Sequence, residues 1–477
     1  MAFELFDYQK TYINGSANAL FSEAGTGKSY MSLGRFIKSD ATKLLIIGLA
    51  GKVGEWEEDI LYLEEHMGSD KITVDEIGIV KKGMIPARRK KLVEDPKIKM
   101  ISVSYESSWR TPELTKWVDK DTMIILDEAH KIANPTSKQS KFILKLGKQT
   151  KLKQVLTGTP FTSQGYASIF SQYKFLDIVE WSPWTFRKWK DTFAIETEFD
   201  AGGFPIKKIT GYKNTKQLDH VVNKYAFWKK RDKNYSPTFR IHSFPMAKND
   251  PYKKLKKDKI YEAQDGEVFM YDTSGSMYAA ERRASLGLYG TKDYLNTERA
   301  DYVKEVLETL PDRVVIFYNF NVELAILKDL MKSINRPFGE YNGHRKDLTN
   351  FKENENGVAL VNYGSGATGL NDFIISNNMI MFSLPTGRYV TYTQAIARID
   401  RVGQTKAPNY WILLKDNTVE VPILKALQDG KNFDKTMYES WLAGDYAEVN
   451  GNKKHDGRLK TQYLPDTKRI DGLSGKA

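Results

Sequence analysis

The sequence contains no cysteine. Disulfides, thiolate zinc sites, iron–sulfur clusters and a cysteine nucleophile are therefore excluded, whatever the fold. Histidine is also scarce, with 6 in 477 residues, and none stands at a metal-ligand spacing. No window comes near the roughly 18 uninterrupted apolar residues that a membrane-spanning helix needs. The opening Met1-Ala2-Phe3-Glu4-Leu5-Phe6 lacks the basic segment and apolar core of a secretory leader, so a cytoplasmic protein is expected. Acidic residues are the minority charge. Their 60 against 72 Lys and Arg leave a formal charge of +12, which favours a polyanionic partner, with nucleic acid ahead of a membrane surface.

What is present is globular, with 41% hydrophobic and 28% charged residues. At about 150 residues per domain, the length suggests some three units. Residues 20–165 alternate short apolar runs with helix-compatible stretches. The runs are Leu44-Leu45-Ile46-Ile47, Met100-Ile101-Ser102-Val103, Met123-Ile124-Ile125-Leu126 and Gln154-Val155-Leu156-Thr157. Their shortness and spacing predict strands of a parallel sheet covered on both faces. A second series begins after about residue 295, with Val314 to Tyr318, Val358 to Val361, Met379 to Phe382 and Tyr410 to Leu414. The expected division is a first α/β lobe over 1–165, helical protrusions and a linker over 166–290, a second α/β lobe over 291–445 and a polar extension over 446–477.

Three segments carry chemistry. Ser22-Glu23-Ala24-Gly25-Thr26-Gly27-Lys28-Ser29 precedes a helix-compatible stretch. Small residues such as Gly25, Thr26 and Gly27 let backbone amides turn inward around phosphates. Lys28 reaches the phosphate oxygens, and the Ser29 hydroxyl can ligate Mg2+. A glycine-rich capped turn is the plain alternative, and Ser22 stands where the strict pattern has glycine. Second, the run from Met123 ends in Asp127-Glu128-Ala129-His130. Asp127 at a strand end would complete a Mg2+ shell and Glu128 would activate water, although an acidic pair after a strand is commonly a solvated loop. Together with a phosphate loop about a hundred residues earlier, the pair fits a nucleotide-hydrolysing sheet, whose strand ends converge on one crevice. Third, Arg398 and Arg401 stand three apart, a spacing that predicts one helical face. They are candidates to stabilise charge on transferred phosphate, or else a surface arginine pair.

In this order the segments resemble the superfamily two helicase motors, in particular their SWI/SNF-related branch, from Tyr8-Gln9 through Gln404. Phe6-Asp7-Tyr8-Gln9 resembles the adenine-recognising segment, with Gln9 as its glutamine. Leu45 to Trp56 and Val103 to Glu106 are similar to segments bordering DNA-contacting elements, which makes Lys52 a candidate DNA contact. Leu156-Thr157-Gly158-Thr159-Pro160 resembles the coupling motif. Gly211 to Asn214 and Phe227 to Arg231 look like the end of a protrusion. Ser365-Gly366-Ala367-Thr368-Gly369-Leu370-Asn371 resembles the glycine-rich motif that touches DNA, through Ser365 and Thr368. Arg398 to Gln404 matches the branch's Arg-x-x-Arg-x-Gly-Gln pattern, with Asp400 where the branch has histidine. The resemblance implies an α/β fold of two RecA-like parallel-sheet lobes with helical protrusions between them. It implies a DNA-dependent ATPase that uses ATP and Mg2+, holds DNA mainly by its phosphate backbone and translocates on duplex DNA. The short chain suggests a minimal, phage-encoded motor acting in the host cytoplasm, with partners in replication or recombination.

Other features have blander readings. Tryptophans from Trp181 to Trp189 are expected to form a small core, and Lys253 to Lys259 a solvated face. His130 is expected to couple the Asp-Glu pair to Thr157 and Thr159. No wedge hairpin is discernible. A strand-separating or annealing helicase is the first alternative, and a nucleotide-gated scaffold with little turnover the second.

Overall fold

Consecutive residues of the apolar runs divide between two cores. Leu45 and Ile47 enter one with Ile101, Val103, Ile124 and Leu126. Their neighbours Leu44 and Ile46 enter the other with Met100, Met123 and Ile125. Burial on both faces is the condition under which a parallel sheet is stable, because helices must cover each side. The computed structural model describes residues 4–200, 205–231, 235–263, 265–290, 293–294, 298–366, 372–401 and 403–442. The chain forms two compact units that divide between Asp232 and Lys233.

In the first unit the strands are β1 (Ala19–Ser22), β2 (Lys43–Gly48), β3 (Ile77–Val80), β4 (Met100–Ser104), β5 (Thr122–Asp127) and β6 (Lys153–Thr157), followed by β7 (Ala194–Asp200), β8 (Pro205–Tyr212) and β9 (Ala226–Lys229). Seven of them form one sheet in the order β3-β4-β2-β5-β6-β1-β9. Every pairing within it is parallel. Helices α1 (Asp7–Asn14), α2 (Lys28–Lys38) and α3 (Glu55–Met67) lie among these strands in the chain.

Beyond residue 166 come the expected helices, Ala167–Phe175, Phe186–Phe193 and Thr215–Tyr225. With them comes a feature the sequence reading did not expect, the antiparallel hairpin β7–β8, which carries a bulge at Ile195/Glu196. It is anchored where Lys213 N bonds Phe193 O at 2.8 Å and Asn214 Nδ2 bonds Thr192 O at 3.2 Å. Trp181 and Trp189 are buried, 5.8 Å apart and edge to face, but they join the core that holds Leu45 and Ile47 rather than forming a small core of their own. Residues 166–290 are therefore not one block. The part up to Asp232 packs with the first unit because β9 closes its sheet beside β1.

The second unit contains β10 (Thr238–Phe244), β11 (Ile260–Glu262), β12 (Val268–Met270), β13 (Leu288–Tyr289), β14 (Asp293–Tyr294) and β15 (Val314–Tyr318). They are followed by β16 (Phe338–Tyr341), β17 (Lys346–Asp347), β18 (Val358–Asn362), β19 (Asn378–Met381) and β20 (Asn409–Lys415). Its main sheet runs β10-β20-β19-β15-β18-β16-β17, parallel except for the β16–β17 edge. Both units are thus α/β lobes of the RecA-like kind. In the second, Val315 and Phe317 enter one core and Val314 and Ile316 the opposite one.

Buried ion pairs fasten β20 to its neighbours. Lys415 Nζ lies 2.5 Å from Asp250, both side chains being 6% exposed. Arg299 bonds Phe382 O at 2.7 Å, Leu413 O at 3.0 Å and the Glu420 carboxylate. The lysine run from Lys253 lies on the helix Pro251–Asp258, where Lys254 and Lys257 are exposed and Lys256 sits 4.1 Å over the Trp441 ring. Among the described residues no helix is long and apolar enough to cross a membrane.

Candidate active site

The site of the first unit lies at the carboxyl ends of β1, β5 and β6. After Ser22 the chain turns through Gly25 (φ 84°) and Gly27 (φ 80°) into α2, which Gly27 caps in the left-handed conformation. Left-handed backbone is routine for glycine and costs other residues on the order of 1–2 kcal/mol. Lys28 Nζ donates to Ser22 O at 2.8 Å and Glu23 O at 3.0 Å, folding back over the loop. Thr26 is held by its hydroxyl to Glu23 O at 2.9 Å.

Gln9 of α1 closes the loop from outside. Its Nε2 donates to Thr26 O at 3.2 Å while its Oε1 accepts from Phe6 N at 2.9 Å. A Cβ added to Gly27 would lie 2.3 Å from Gln9 Nε2. Gly27→Ala should therefore both strain the loop and expel Gln9. The expected result is a loss of adenine-nucleotide affinity of about tenfold or more, measured by titration with a fluorescent ADP; an unchanged affinity would separate Gln9 and Gly27 from nucleotide binding.

β5 delivers two consecutive carboxylates in different directions, because Glu128 adopts φ 53° in the left-handed region. Asp127 is 4% exposed, and its Oδ2 is buried with no hydrogen-bond partner. Gly48 of β2 lies beside it, where an added Cβ would be in ordinary contact with Asp127 Cβ at 3.5 Å. Glu128 turns toward β6. Its Oε2 accepts from Thr157 Oγ1 at 3.2 Å and lies 3.2 Å from His130 Nδ1. His130 Nδ1 is also 3.2 Å from Thr157 Oγ1 and 3.3 Å from Thr159 Oγ1, and Thr159 N donates to Thr157 Oγ1 at 3.0 Å. Gly158 brings this cluster to the phosphate loop, since a Cβ there would be 3.4 Å from Ser22 O and 3.8 Å from Lys28 Nζ.

The electrostatics separate the two acids. Burial raises the Asp127 carboxyl, and the charge of Lys52 opposes it. Burial also works against ionised Glu128, but the hydrogen bond and charge of His130, with Lys28 and Lys52, hold it below the usual carboxylate range. Lys52, read as a candidate DNA contact, is thus near enough to act on both carboxylates. Two residues were missed. Asp59 of α3 takes a hydrogen bond from Ser29, and burial raises its carboxyl. Tyr105 is fully buried, its hydroxyl lacks a hydrogen-bond partner, and burial with the charges of Asp127 and Glu128 pushes that hydroxyl well up. Trp56, Ile60 and Leu63 mark the buried face of α3, and Asp59, a half-buried acid beside that face, was the available signal.

The arginines require a correction. Arg398 and Arg401 do not share a helical face, because the helix Tyr389–Ile396 ends before them and they lie in the turn that follows. Side chains take up the carbonyls released there: Tyr410 Oη bonds Ile396 O at 2.9 Å, Arg401 Nε bonds Ala397 O at 3.1 Å and Gln404 Nε2 bonds Ile399 O at 3.1 Å. Arg398 is only 4% exposed, which does not fit a surface arginine. Tyr235 Oη holds Asp400 at 3.0 Å. Ser365 is half-buried in the short helix Tyr363–Gly366, and Thr368 lies outside the described residues.

Two parallel-sheet units, one with a phosphate loop, a buried strand-end aspartate and a second acid bonded across to the next strand, define a nucleotide-site architecture of the RecA-like class. The SNF2-related domain family matches residues 10–268, more than half of the sequence, and the chain belongs to that family. It is similar to the DNA repair protein rad8 of Schizosaccharomyces pombe, with 29% identity over 130 residues. That stretch is 26% of this chain but 11% of rad8, so the chain matches only a small part of that relative. Among solved structures it is similar to the Sulfolobus solfataricus SWI2/SNF2 ATPase core in complex with dsDNA. The TM-score is 0.41 at 18% identity, over 95% of this chain and 96% of that one. It is also similar to the C-terminal part of the Fun30 ATPase domain, with TM-score 0.36, 16% identity and coverage of 46% of this chain and 99% of that one.

Proposed function

We propose that the protein is a DNA-dependent ATPase that couples ATP hydrolysis to translocation on duplex DNA and to remodelling of DNA or protein–DNA structures. The observation that carries this is the convergence, within one unit, of Lys28, the unpartnered buried Oδ2 of Asp127 and the Glu128–His130–Thr157 cluster. Membership of the SNF2-related family supports it.

In this proposal Gln9 reads the adenine, Gly25, Thr26 and Gly27 wrap the phosphates with backbone amides, and Lys28 leaves the loop carbonyls to neutralise phosphate charge. The donor set fits Mg2+. Asp127 offers a buried oxygen without a partner, and the Ser29 hydroxyl would be the second ligand. Bound there, the ion would supply charge neutralisation on the phosphate oxygens. Among the described residues no group of three or more His, Asp or Glu side chains is placed to hold a metal. Glu128, held ionised, orients and deprotonates the attacking water. His130, Thr157 and Thr159 hold Glu128 in place and transmit its state along β6. Arg398 and Arg401 are the proposed stabilisers of charge on the transferring phosphate. Lys52, Ser365 and Thr368 are the proposed DNA contacts, and the cytoplasm is the proposed site of action.

A triplex-displacement assay tests translocation. ATP-dependent release of a third strand from duplex DNA is expected, with affinity that falls steeply with salt and depends little on sequence. The hairpin β7–β8 favours one alternative, a strand-separating helicase, because an antiparallel two-stranded element can part a fork. Unwinding of long blunt duplex without triplex release would establish that alternative in place of the translocase.

A further inference from the structure

We infer that Glu23 is a positioning residue that ties the phosphate loop to the end of β9, and through it to the segment by which the chain passes into the second unit. This rests on the nucleotide-site reading above. β9 runs parallel to β1 in the register Ala19↔Ala226 to Ser22↔Lys229, so it ends where the loop begins. Three hydrogen bonds join them there. Ser22 Oγ and Glu23 N both donate to Lys229 O, at 3.2 and 3.1 Å, and Arg231 N donates to Glu23 Oε2 at 3.2 Å. The first unit ends one residue later, at Asp232.

The other side of Glu23 faces the phosphate lysine. Its carbonyl accepts from Lys28 Nζ at 3.0 Å and from Thr26 Oγ1 at 2.9 Å. One residue thus touches Lys28 through its carbonyl, the last residue of β9 through its amide, and Arg231 just beyond β9 through its carboxylate. When phosphate draws the Lys28 ammonium away, the Ser22 and Glu23 carbonyls lose a charged donor, and the Ser22–Glu23 peptide plane, whose amide donates to Lys229 O, is released to reorient. A carboxylate in a phosphate loop repels the anion the loop must hold. Its presence calls for a compensating role, and a charge-assisted bond to the Arg231 amide supplies one. The loop that senses phosphate and the strand that leads out of the unit are then a single hydrogen-bonded element. Lys229 extends the junction, its Nζ lying 4.8 Å over the ring of Tyr8, whose hydroxyl donates to Thr26 O at 3.0 Å.

The test follows amide hydrogen exchange in peptides spanning 227–231 of the full chain, with and without Mg2+ and ADP, alongside fluorescent-ADP affinity and DNA-stimulated turnover. In the parent protein, nucleotide should change exchange at the Arg231 amide. Glu23→Ala should abolish that change and lower kcat by on the order of tenfold, with KM for ATP near the parental value. Glu23→Gln, which keeps an acceptor oxygen, should restore both. No exchange response in the parent under conditions where ADP demonstrably binds would overturn the proposal. So would a response that persists in Glu23→Ala, a Glu23→Ala protein whose only defect is lost nucleotide binding, or a Glu23→Gln protein as impaired as Glu23→Ala. Absence of DNA-stimulated turnover in the parent would count against the motor reading instead, and the exchange measurement would still decide the role of Glu23.

Discussion

Glu128→Gln should keep ATP bound while slowing hydrolysis by about 10²- to 10⁴-fold, the usual contribution of a general base. The amide keeps the shape of the carboxylate and can still accept from Thr157 and His130, which lie 3.2 Å away, so folding and nucleotide affinity should survive. What is lost is the capacity to take a proton. In the parent the hydrogen bond and charge of His130, with Lys28 and Lys52, oppose burial and hold the carboxyl below the usual carboxylate range, which favours the ionised form. Lys28→Ala should behave differently. It removes a charged donor to phosphate and should weaken ATP binding by roughly 10- to 100-fold. A comparison of single-turnover hydrolysis with ATP titration separates the two roles. Parental hydrolysis by Glu128→Gln at saturating DNA and Mg2+ would remove Glu128 from the chemistry.

The second large effect is expected from the second unit. Arg398→Ala or Arg401→Ala should lower DNA-stimulated turnover by about 10³- to 10⁵-fold, the range for arginines that stabilise a transferring phosphoryl group. Their position in a braced turn makes this a demanding case. Arg401 Nε already bonds Ala397 O, and Gln404 Nε2 spans Ile374 O, Ser376 O and Ile399 O. Circular dichroism and thermal melting should therefore accompany the kinetics, to separate a lost finger from a lost turn. Full turnover in both single variants and the double variant would leave the arginines with a purely structural role.

The residues legible in the sequence were those whose geometry is set locally. The phosphate loop could be read because Gly25 and Gly27 supply the left-handed backbone and α2 follows immediately. Asp127 could be read because β5 is a continuous apolar strand that ends on it. What was missed depends on contacts distant in the chain. The apolar segment Ala226 to Trp228 gives no hint that it pairs with β1, and so no hint that Arg231 reaches Glu23. Asp59 meets Ser29 only once α3 packs beside α2. Arg398 and Arg401 were misplaced because their spacing suits a helix, whereas side chains of Tyr410, Arg401 and Gln404 end that helix from outside. The β7–β8 hairpin had a signal that was passed over, Gly202-Gly203 between two stretches of high strand propensity, because the family resemblance favoured helices there.

Phosphate release at saturating ATP and Mg2+, with and without duplex DNA, tests the central claim most directly. The account predicts weak basal turnover that duplex DNA raises by about tenfold or more, a stimulation absent from Glu128→Gln. Turnover indifferent to DNA, or none in its presence, would contradict it.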